Sequence, residues 1–191
     1  MNLPPKDLLL ARVKPGRDSW AHSRRPDRIE AVGPGEESVW DYPRPPEVQD
    51  VTTPLRVMAG DTVLAEATGG VRVLETAGAP VYYLPPDAVR RELFEESEHV
   101  TVCEWKGAAV HYDAVVDGRR VGRAAYVYPD PFDDLGRGFA KIAGYFAFYP
   151  AKVECFLGGE RAVPQPGGYY GGWVFPWVKG PIKGAPGTEG W

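Results

Sequence analysis

The sequence predicts a mainly β protein, a small domain of short antiparallel strands with one short helix near residues 87–97. Its 23 glycines and 20 prolines are many for 191 residues, and both residue types mark tight turns. Ten tyrosines and six tryptophans add side chains that favour strands. Apolar and polar residues alternate over short runs, which is the pattern of half-buried strands. Together these features favour short strands joined by turns over a helical bundle.

The overall charge argues against polyanionic binding partners. The net charge is -4 and the isoelectric point is about 5.5, so the chain lacks the basic surface typical of proteins that bind nucleic acid or anionic membranes. We find no signal-peptide pattern and no apolar run of about 18 residues, so we expect a cytoplasmic protein with free thiols at Cys103 and Cys155. A disulfide between these two cysteines is the less favoured alternative. The expected partner is an unknown small molecule, with no nucleic acid and no membrane; a homodimer is left open.

The chain divides into an N-terminal arm at residues 1–36 and a single β domain at residues 37–191. The arm is rich in Pro, Arg, Ser and Gly and shows no sustained helical or strand period. We expect it to be partly irregular and either to follow the surface or to be partly disordered. Trp20 and His22 are candidates for tucking into the body instead.

The segment at residues 37–46 is predicted to be an extended strap, because its prolines restrict the backbone around them. Alternate residues of an extended chain point to the same side, which groups Trp40 with Tyr42. The strap either covers part of the core or, with Arg44, forms one wall of a site. Both interpretations stay open on the sequence alone.

Strands are predicted wherever a short alternating or apolar run lies between turn signals. Turns are expected near Gly60, at residues 69–70 and at residues 117–118. The predicted strands are residues 55–58, 62–67, 71–76, 81–84, 101–113 (two strands meeting at Gly107), 119–128, 142–149 and 152–156.

One helix is predicted over residues 87–97. Asp87 is a suitable N-cap residue, and Val89 and Leu93 lie four apart, as on one face of a helix. His99, just after it, is read as a surface residue near the helix end rather than a ligand. Residues 130–141 are polar and glycine-interrupted, so we expect a loop there.

Common cofactor and metal motifs are missing from the sequence. Two isolated cysteines cannot supply the paired knuckles of a zinc ribbon. The glycine-rich phosphate loop, the dinucleotide fingerprint and the nucleophile elbow of hydrolases are also absent. We therefore expect no cofactor and no metal.

The densest group of reactive side chains lies in residues 101–113. Cys103 beside His111 would make a competent nucleophile, although a small buried core residue is the plainer interpretation of this cysteine. Strict strand alternation places Cys103 and Lys106 on opposite faces, unless a bulge near Gly107 turns one of them. Lys106 itself lies in an apolar region and needs a partner or a cavity.

Glu75 is the predicted partner of Lys106, since it shares a strand face with Val71 and Val73 and also needs a counter-charge. If the protein is an enzyme, Lys106 is the cation or acid–base group and Cys103 the nucleophile. The pair would lie in an aromatic-lined pocket, the usual form of a small-molecule site. The predicted ligand-binding residues are Tyr83, Trp105 and Tyr112 in the pocket, with Trp40 and Trp173 at its rim. The alternative is a structural ion pair in a non-catalytic interaction module.

The C-terminal tail, residues 167–191, combines glycines with aromatic side chains. Tyr169, Tyr170 and Trp173 around two glycines could close over a pocket as a lid. They could equally plug an open end of the β structure. Glycine permits close backbone approach in both cases.

Several ordered motifs resemble one family, the domain of unknown function 427 (DUF427). The motifs are residues 37–46, 73–76, 80–86, 101–107, 111–112, 145–149, 170–173 and 180–184. The resemblance covers residues 34–191 and implies a small antiparallel β domain, barrel-like or tent-like, similar to the Mss4-like group. Some members of that group carry zinc on paired cysteines, which this chain lacks. The family name brings no activity with it.

Overall fold

A computed structural model describes residues 3–20 and 23–191 of the chain, so His22 lies outside the described residues. The described residues form one α-helix, α1 (Lys6–Ser19), and fifteen strands. The strands are β1 (Glu37–Ser38), β2 (Glu47–Val51), β3 (Leu55–Ala59), β4 (Thr62–Ala67), β5 (Gly70–Leu74), β6 (Val81–Leu84), β7 (Phe94–Cys103), β8 (Gly107–Val116), β9 (Arg119–Val127), β10 (Phe146–Phe148), β11 (Glu154–Leu157), β12 (Glu160–Arg161), β13 (Val163–Pro164), β14 (Trp173–Val174) and β15 (Val178–Lys179).

Two antiparallel sheets make up most of the molecule. The larger has seven strands in the order β2-β5-β6-β10-β9-β8-β7, and the smaller has four in the order β12-β11-β3-β4. Two short pairs complete the structure, β1 with β15 in parallel and β13 with β14 in antiparallel fashion. The mainly β, antiparallel fold class is confirmed.

The predicted barrel is wrong in one respect, because the large sheet does not close. Its edge strands β2 and β7 each pair with only one other strand of the described chain. The structure is therefore an open sheet with a smaller sheet on one side.

Alternation along the large sheet gives it two different faces. Leu74, Tyr82 and Phe148 point to one face and share an apolar cluster with Leu55 and Val57 of the small sheet. This cluster is the main core. The opposite face carries a second cluster, in which Val73, Tyr83 and Tyr126 pack together. The candidate functional site lies on this second face.

The arm contains an element that its sequence did not predict. Helix α1 runs from Lys6 to Ser19 although Pro15 lies within it, and among its described residues Leu9 is buried, at 4% exposure. Leu9 packs with Ala108 and Phe132. The helix therefore follows the surface of the body and is held there by packing rather than by its own amphipathic period.

The helix predicted over residues 87–97 is wrong. Two short 3-10 turns, Pro86–Ala88 and Arg91–Leu93, lead directly into strand β7. Phe94 begins that strand and packs into the main core, while Glu95 and Glu98 are exposed. Charged residues on an exposed edge strand oppose pairing with the strands of other molecules. In the sequence, the same charged residues resemble the polar face of a helix, which explains the wrong prediction.

Across both described stretches of the chain, no helix combines the length and the apolar character needed to cross a membrane.

Candidate functional site

A cavity of about 570 Å³ lies on the second face of the large sheet. Small-molecule sites commonly enclose about 300–1,000 Å³, and this volume falls within that range. Strand pairing supports its floor: Tyr83 opposes Ala147, Ala147 opposes Tyr126 and Tyr126 opposes His111 across neighbouring strands. Of this row, Tyr126 and His111 line the cavity. Directly paired residues share a face, so this row forms one surface.

The hairpin between β7 and β8 brings Cys103 and Lys106 into this cavity together. Cys103 pairs with Gly107, so residues 104–106 form a three-residue loop, and Gly107 has a φ of 95°. Such loops often end in a left-handed residue, which glycine adopts without strain. The predicted separation of Cys103 from Lys106 is wrong, because strand alternation does not continue through the loop. Both side chains line the cavity.

Glu75, just after β5, lines the same cavity but has different partners from the one predicted. Lys183 Nζ lies 3.0 Å from Glu75 Oε1, and Arg44 Nη2 lies 3.5 Å from the same oxygen. Lys106 forms no ion pair with a carboxylate of the described chain and acts on Glu75 only at longer range. The direct Lys106–Glu75 pair is therefore wrong, although both residues line one cavity.

The charge state of Glu75 follows from these neighbours. Burial alone would raise the pKa of its carboxyl group, but Lys183, Lys106 and Arg44 together reverse that effect and lower it. Glu75 is thus an anion at neutral pH. We call Glu75, Lys106, Lys183 and Cys103 the Glu75 end of the cavity.

Lys106 is nearly enclosed, with 8% of its surface exposed. Burial opposes its charged form, yet Cys103 first, and then Glu75 and Tyr126, together outweigh this and raise the pKa of the ammonium group. Lys106 therefore stays positive at neutral pH. It suits a role as a fixed cation and hydrogen-bond donor better than a role as a general base.

Neither cysteine forms a disulfide: Cys103 is half-buried, and Cys155 is buried. Burial raises the pKa of the Cys103 thiol, and the nearby Lys106 only partly opposes this rise. Because the nucleophile is the thiolate, a thiol that stays protonated at neutral pH is poorly prepared for attack. These surroundings favour the interpretation of Cys103 as a lining residue over that of a nucleophile.

The other end of the cavity carries two histidines, and with Arg123 and Lys152 they form what we call the histidine end. The rings of His99 and His111 lie 4.7 Å apart between centroids. His111 Nε2 is 3.0 Å from Thr101 Oγ1, and its Nδ1 has no partner in the described chain. Burial, reinforced by the neighbouring cations, lowers the pKa of His111 to about 4, so its imidazole is neutral at physiological pH.

Tyrosines connect the two ends. The Tyr126 ring lies 5.1 Å from that of Tyr149 and 5.8 Å from that of Tyr128, and all three line the cavity. The tail passes close above them, since a Cβ on Gly171 would lie 3.1 Å from Tyr126 Oη. The glycine at this position therefore allows the tail to touch the tyrosine layer. The tail thus covers part of the cavity, and Tyr170 lines it.

The arm contributes one wall through Trp20. Trp20 Nε1 donates a hydrogen bond to Glu104 Oε1 at 2.8 Å, and the Arg44 guanidinium lies 4.3 Å from the centre of its ring. On its other side, Trp20 lines a second cavity of about 850 Å³ beneath α1. Trp20 therefore separates two cavities.

Two of the predicted ligand-binding residues lie next to the first cavity without lining it. Tyr83 is fully buried, with its ring 6.3 Å from that of Tyr126, which does line the cavity. Trp105 turns the other way at the hairpin loop and lines the second cavity, where the Arg17 guanidinium lies 5.6 Å from its ring. Because strand alternation does not continue through the loop, Lys106 lies beside Cys103 in the first cavity while Trp105 faces the second.

Tyr112 and Trp173 belong to the main core instead of the site. Tyr112 points to the opposite face of the large sheet, where its ring lies 5.2 Å from that of Phe146. Trp173 is 0% exposed and donates a hydrogen bond from Nε1 to the Phe148 carbonyl at 3.2 Å. Their predicted place in the pocket or at its rim is wrong, because strand alternation and deep burial direct them away from it.

The strap at residues 37–46 both covers the core and reaches the site. Trp40 is buried, donates from Nε1 to the Pro181 carbonyl at 2.8 Å, and packs against Trp191, so it does not form the rim. Arg44 reaches Glu75 from the same segment. Both interpretations of the strap therefore hold, each for a different residue: Trp40 covers the core, and Arg44 reaches the site.

Lys183, Arg123, Lys152, Tyr126 and Tyr128 were not predicted as site residues, although all of them line the cavity. Tyr126 and Tyr128 lie two apart at the end of the strand predicted over residues 119–128, and this spacing indicates that they share one face. The three cations lie far apart in sequence, and only the tertiary fold brings them to one cavity.

Within the described residues, no group of three or more His, Cys, Asp or Glu side chains is arranged to hold a metal ion.

Comparison with known proteins agrees with the motifs noted in the sequence. A family model described as a domain of unknown function (DUF427) matches residues 47–159, which is more than half of the chain. A search of curated proteins found no match. The matched segment contains Glu75, Cys103 and Lys106, whereas Lys183 and Trp20 lie outside it.

Proposed function

We propose, for a chain that belongs to the DUF427 family, that the cavity on the second face of the large sheet binds a small polar molecule. One observation carries the proposal: Glu75 and Lys106, a carboxylate and a nearly buried ammonium, line the same cavity. Enclosed charges are expensive to desolvate, and a polar ligand can supply the contacts that solvent would otherwise make.

The rest of the lining supports a binding role. Aromatic walls from Tyr126, Tyr128 and Tyr149 surround a few polar groups, and this mixture is typical of small-molecule sites. Lys106 serves as a fixed cation that orients a polar group of the ligand. Glu75 holds Lys183 and balances the charge of Lys106 from a distance. If a reaction occurs, Lys106 stabilises negative charge in it.

A second candidate function has its own supporting observation. Glu75 is already paired with Lys183 from the tail and with Arg44 from the strap, so it joins two distant segments of the chain. In that case the charged group is structural, and the aromatic strap and tail serve a non-catalytic interaction module. The two candidates differ in what Lys106 does, because Lys106 takes no part in that pair.

The test is a screen of metabolites by thermal shift against the wild-type protein and Lys106→Met. A ligand that binds only the native state raises its stability by about 2.7 kcal/mol at 100 times its Kd. We expect compounds that raise the melting temperature of the wild type and lose most of that effect with Lys106→Met. Lys141→Met removes an exposed lysine outside the cavity and is the matched control.

The outcome separates the two candidates. Ligands that stabilise the wild type, the control and Lys106→Met equally would place binding elsewhere. A wild type that no compound stabilises, together with a partner protein captured through the strap or tail, would favour the interaction module.

We further propose that this function is carried out in the cytoplasm, a reducing compartment that suits the free thiols of Cys103 and Cys155. The relation to the Mss4-like group stays a prediction.

A further inference from the structure

The lining of the cavity has an excess of positive charge, although the whole chain has a net charge of -4. Four cationic side chains line it against two carboxylates, Glu75 and Glu104. The cations are Lys106, Lys183, Arg123 and Lys152. Concentrating positive charge in one concavity of an acidic protein focuses its potential on anions.

This excess lies mainly at the histidine end. Lys183 is neutralised by Glu75, whereas neither Arg123 nor Lys152 forms a side-chain ion pair with a carboxylate of the described chain. Asp113 acts on Lys152 only through longer-range electrostatics, because its carboxylate pairs with Arg120 and accepts the backbone N–H of Arg123 at 2.7 Å.

The backbone holds Arg123 in place at some cost. The register between β8 and β9 shifts between Tyr112 and Ala114, and in this bulge Arg123 adopts a φ of 52°. Left-handed backbone is strained at a residue other than glycine, and such residues concentrate at functional sites. The hydrogen bond to Asp113 stabilises the bulge, and Arg123, which is exposed, lines the cavity from it.

Arg123 and Lys152 also act on each other. Burial and the positive charge of Arg123 lower the pKa of the Lys152 ammonium, with Asp113 opposing them. The same two cations contribute to the low pKa of His111. An anion bound between them would relieve this repulsion.

Aromatic rings lie beside these cations. The His111 and Tyr149 rings are nearly parallel, 14° apart in plane, with centroids 6.2 Å apart, and Tyr126 lies next to both. His111 is 3% exposed, and its Nδ1 lacks a hydrogen-bond partner in the described chain. The histidine end thus offers cations, an unpaired imidazole nitrogen and flat apolar surfaces.

We propose that the ligand is an organic anion whose phosphate or carboxylate group is held at the histidine end by Arg123 and Lys152, with its ring or apolar part against Tyr149 and Tyr126. This inference rests on the proposed function, because it specifies the ligand class of the same cavity. Arginine and lysine recognise both kinds of oxyanion through charge-assisted hydrogen bonds.

Calorimetric titration with matched probes tests the inference. Benzoate and phenyl phosphate carry the two oxyanions on the same ring, benzamide is a neutral counterpart of benzoate, and inorganic phosphate lacks the ring. We expect at least one aromatic anion to bind about tenfold or more tightly than benzamide. The one that binds identifies the preferred oxyanion, and inorganic phosphate should bind more weakly because it makes no ring contacts.

The variant Arg123→Gln/Lys152→Gln should weaken binding of that anion by about tenfold or more. The matched control Arg56→Gln/Lys141→Gln removes the same charge from exposed cations outside the cavity and should bind as the wild type does. Raising sodium chloride with the wild type should weaken anion binding and leave benzamide unchanged, which keeps the test valid if the double variant folds poorly.

Four results would overturn the inference. Benzamide binding as tightly as the anions, or unchanged anion binding by the cavity double variant, would show that charge at this end is not used. If the anions fail to bind while neutral compounds bind in a Lys106-dependent manner, the inference fails and the proposed function stands. If no compound of any charge binds the wild type, both fail.

Discussion

Lys183 Nζ lies 3.0 Å from Glu75 Oε1, although 108 positions separate the two residues along the chain. The pair ties the C-terminal tail to the end of β5. Lys183 also lies 5.1 Å from the Tyr170 ring, so the same ammonium group contacts the aromatic part of the tail. The contact holds the tail over the cavity and places an ion pair in the cavity lining.

Lys183→Met should therefore destabilise the protein. Removing one partner of a buried pair leaves the other charge poorly compensated, which costs about 3 kcal/mol. Arg44 and Lys106 remain near Glu75, so we expect no more than this amount. Denaturant unfolding measures the change. Lys179→Met removes a more exposed tail lysine paired with Glu36 and should cost at most about 1 kcal/mol. Equal losses in the two variants would contradict a special role for Lys183.

The contribution of Glu75 should depend on pH in a defined direction. Its pKa in the folded protein is lowered from the ordinary value of 4.5, so as the pH falls the unfolded chain takes up this proton first. Proton uptake by the unfolded state favours unfolding. The stability from Glu75 is thus fully present above about pH 5 and is lost as the pH falls through 4.5 and then through the lower folded pKa.

Glu75→Gln tests this by unfolding at a series of pH values. The wild type should exceed the variant in free energy of unfolding at pH 7, and the gap should shrink as the pH falls below 4.5. Glu160→Gln removes an exposed strand carboxylate and should leave the pH profile unchanged. A gap that stayed constant down to pH 3 would mean that ionisation of Glu75 is not what stabilises the fold.

Cys103 should react slowly with thiol reagents. Burial raises its pKa and limits access, and the thiolate is the reactive form. In the single-thiol variant Cys155→Ala, labelling with a disulfide reagent at pH 8 should be slower in the native protein than in urea. Native labelling as fast as in urea would revive the nucleophile hypothesis.

Gly172→Ala should be poorly tolerated. A Cβ at this position would lie 2.1 Å from Gln165 Oε1, which accepts a hydrogen bond from the Ala79 backbone N–H. We expect a loss of about 1–3 kcal/mol from overpacking, measured by denaturant unfolding. Gly190→Ala meets only ordinary contacts, with Arg24, and is the control. If both variants unfold at the same denaturant concentration, the tail is less tightly packed than the structure indicates.

Local sequence patterns predicted the fold class and the cavity residues Glu75, Cys103 and Lys106. The patterns failed wherever the direction of a side chain depends on a turn, or its partner comes from a distant part of the sequence. Alternation could not follow the chain through the loop at residues 104–106, so Lys106 was placed away from Cys103. The counter-ion of Glu75 comes from Lys183, which no local pattern connects with it.

The two helix errors have opposite physical causes. Helix α1 has little apolar periodicity, and its packing against Phe132 becomes visible only in the fold. Residues 87–97 show a weak helical pattern, but burying the Phe94 side chain in the core from an edge strand stabilises the fold more than a helix there would. Tertiary packing decided both cases, and such packing routinely outweighs local propensity.

The position of Trp20 between the two cavities has a consequence for the family. The family match covers residues 47–159, which include Glu75 and Lys106 but not Trp20, Tyr170 or Lys183. The shared segment thus supplies the floor of the cavity, and the flanking segments supply its walls and cover. If the cavity binds a ligand as proposed, relatives that keep this floor and change their flanking segments should differ in the shape of the ligand that they accept.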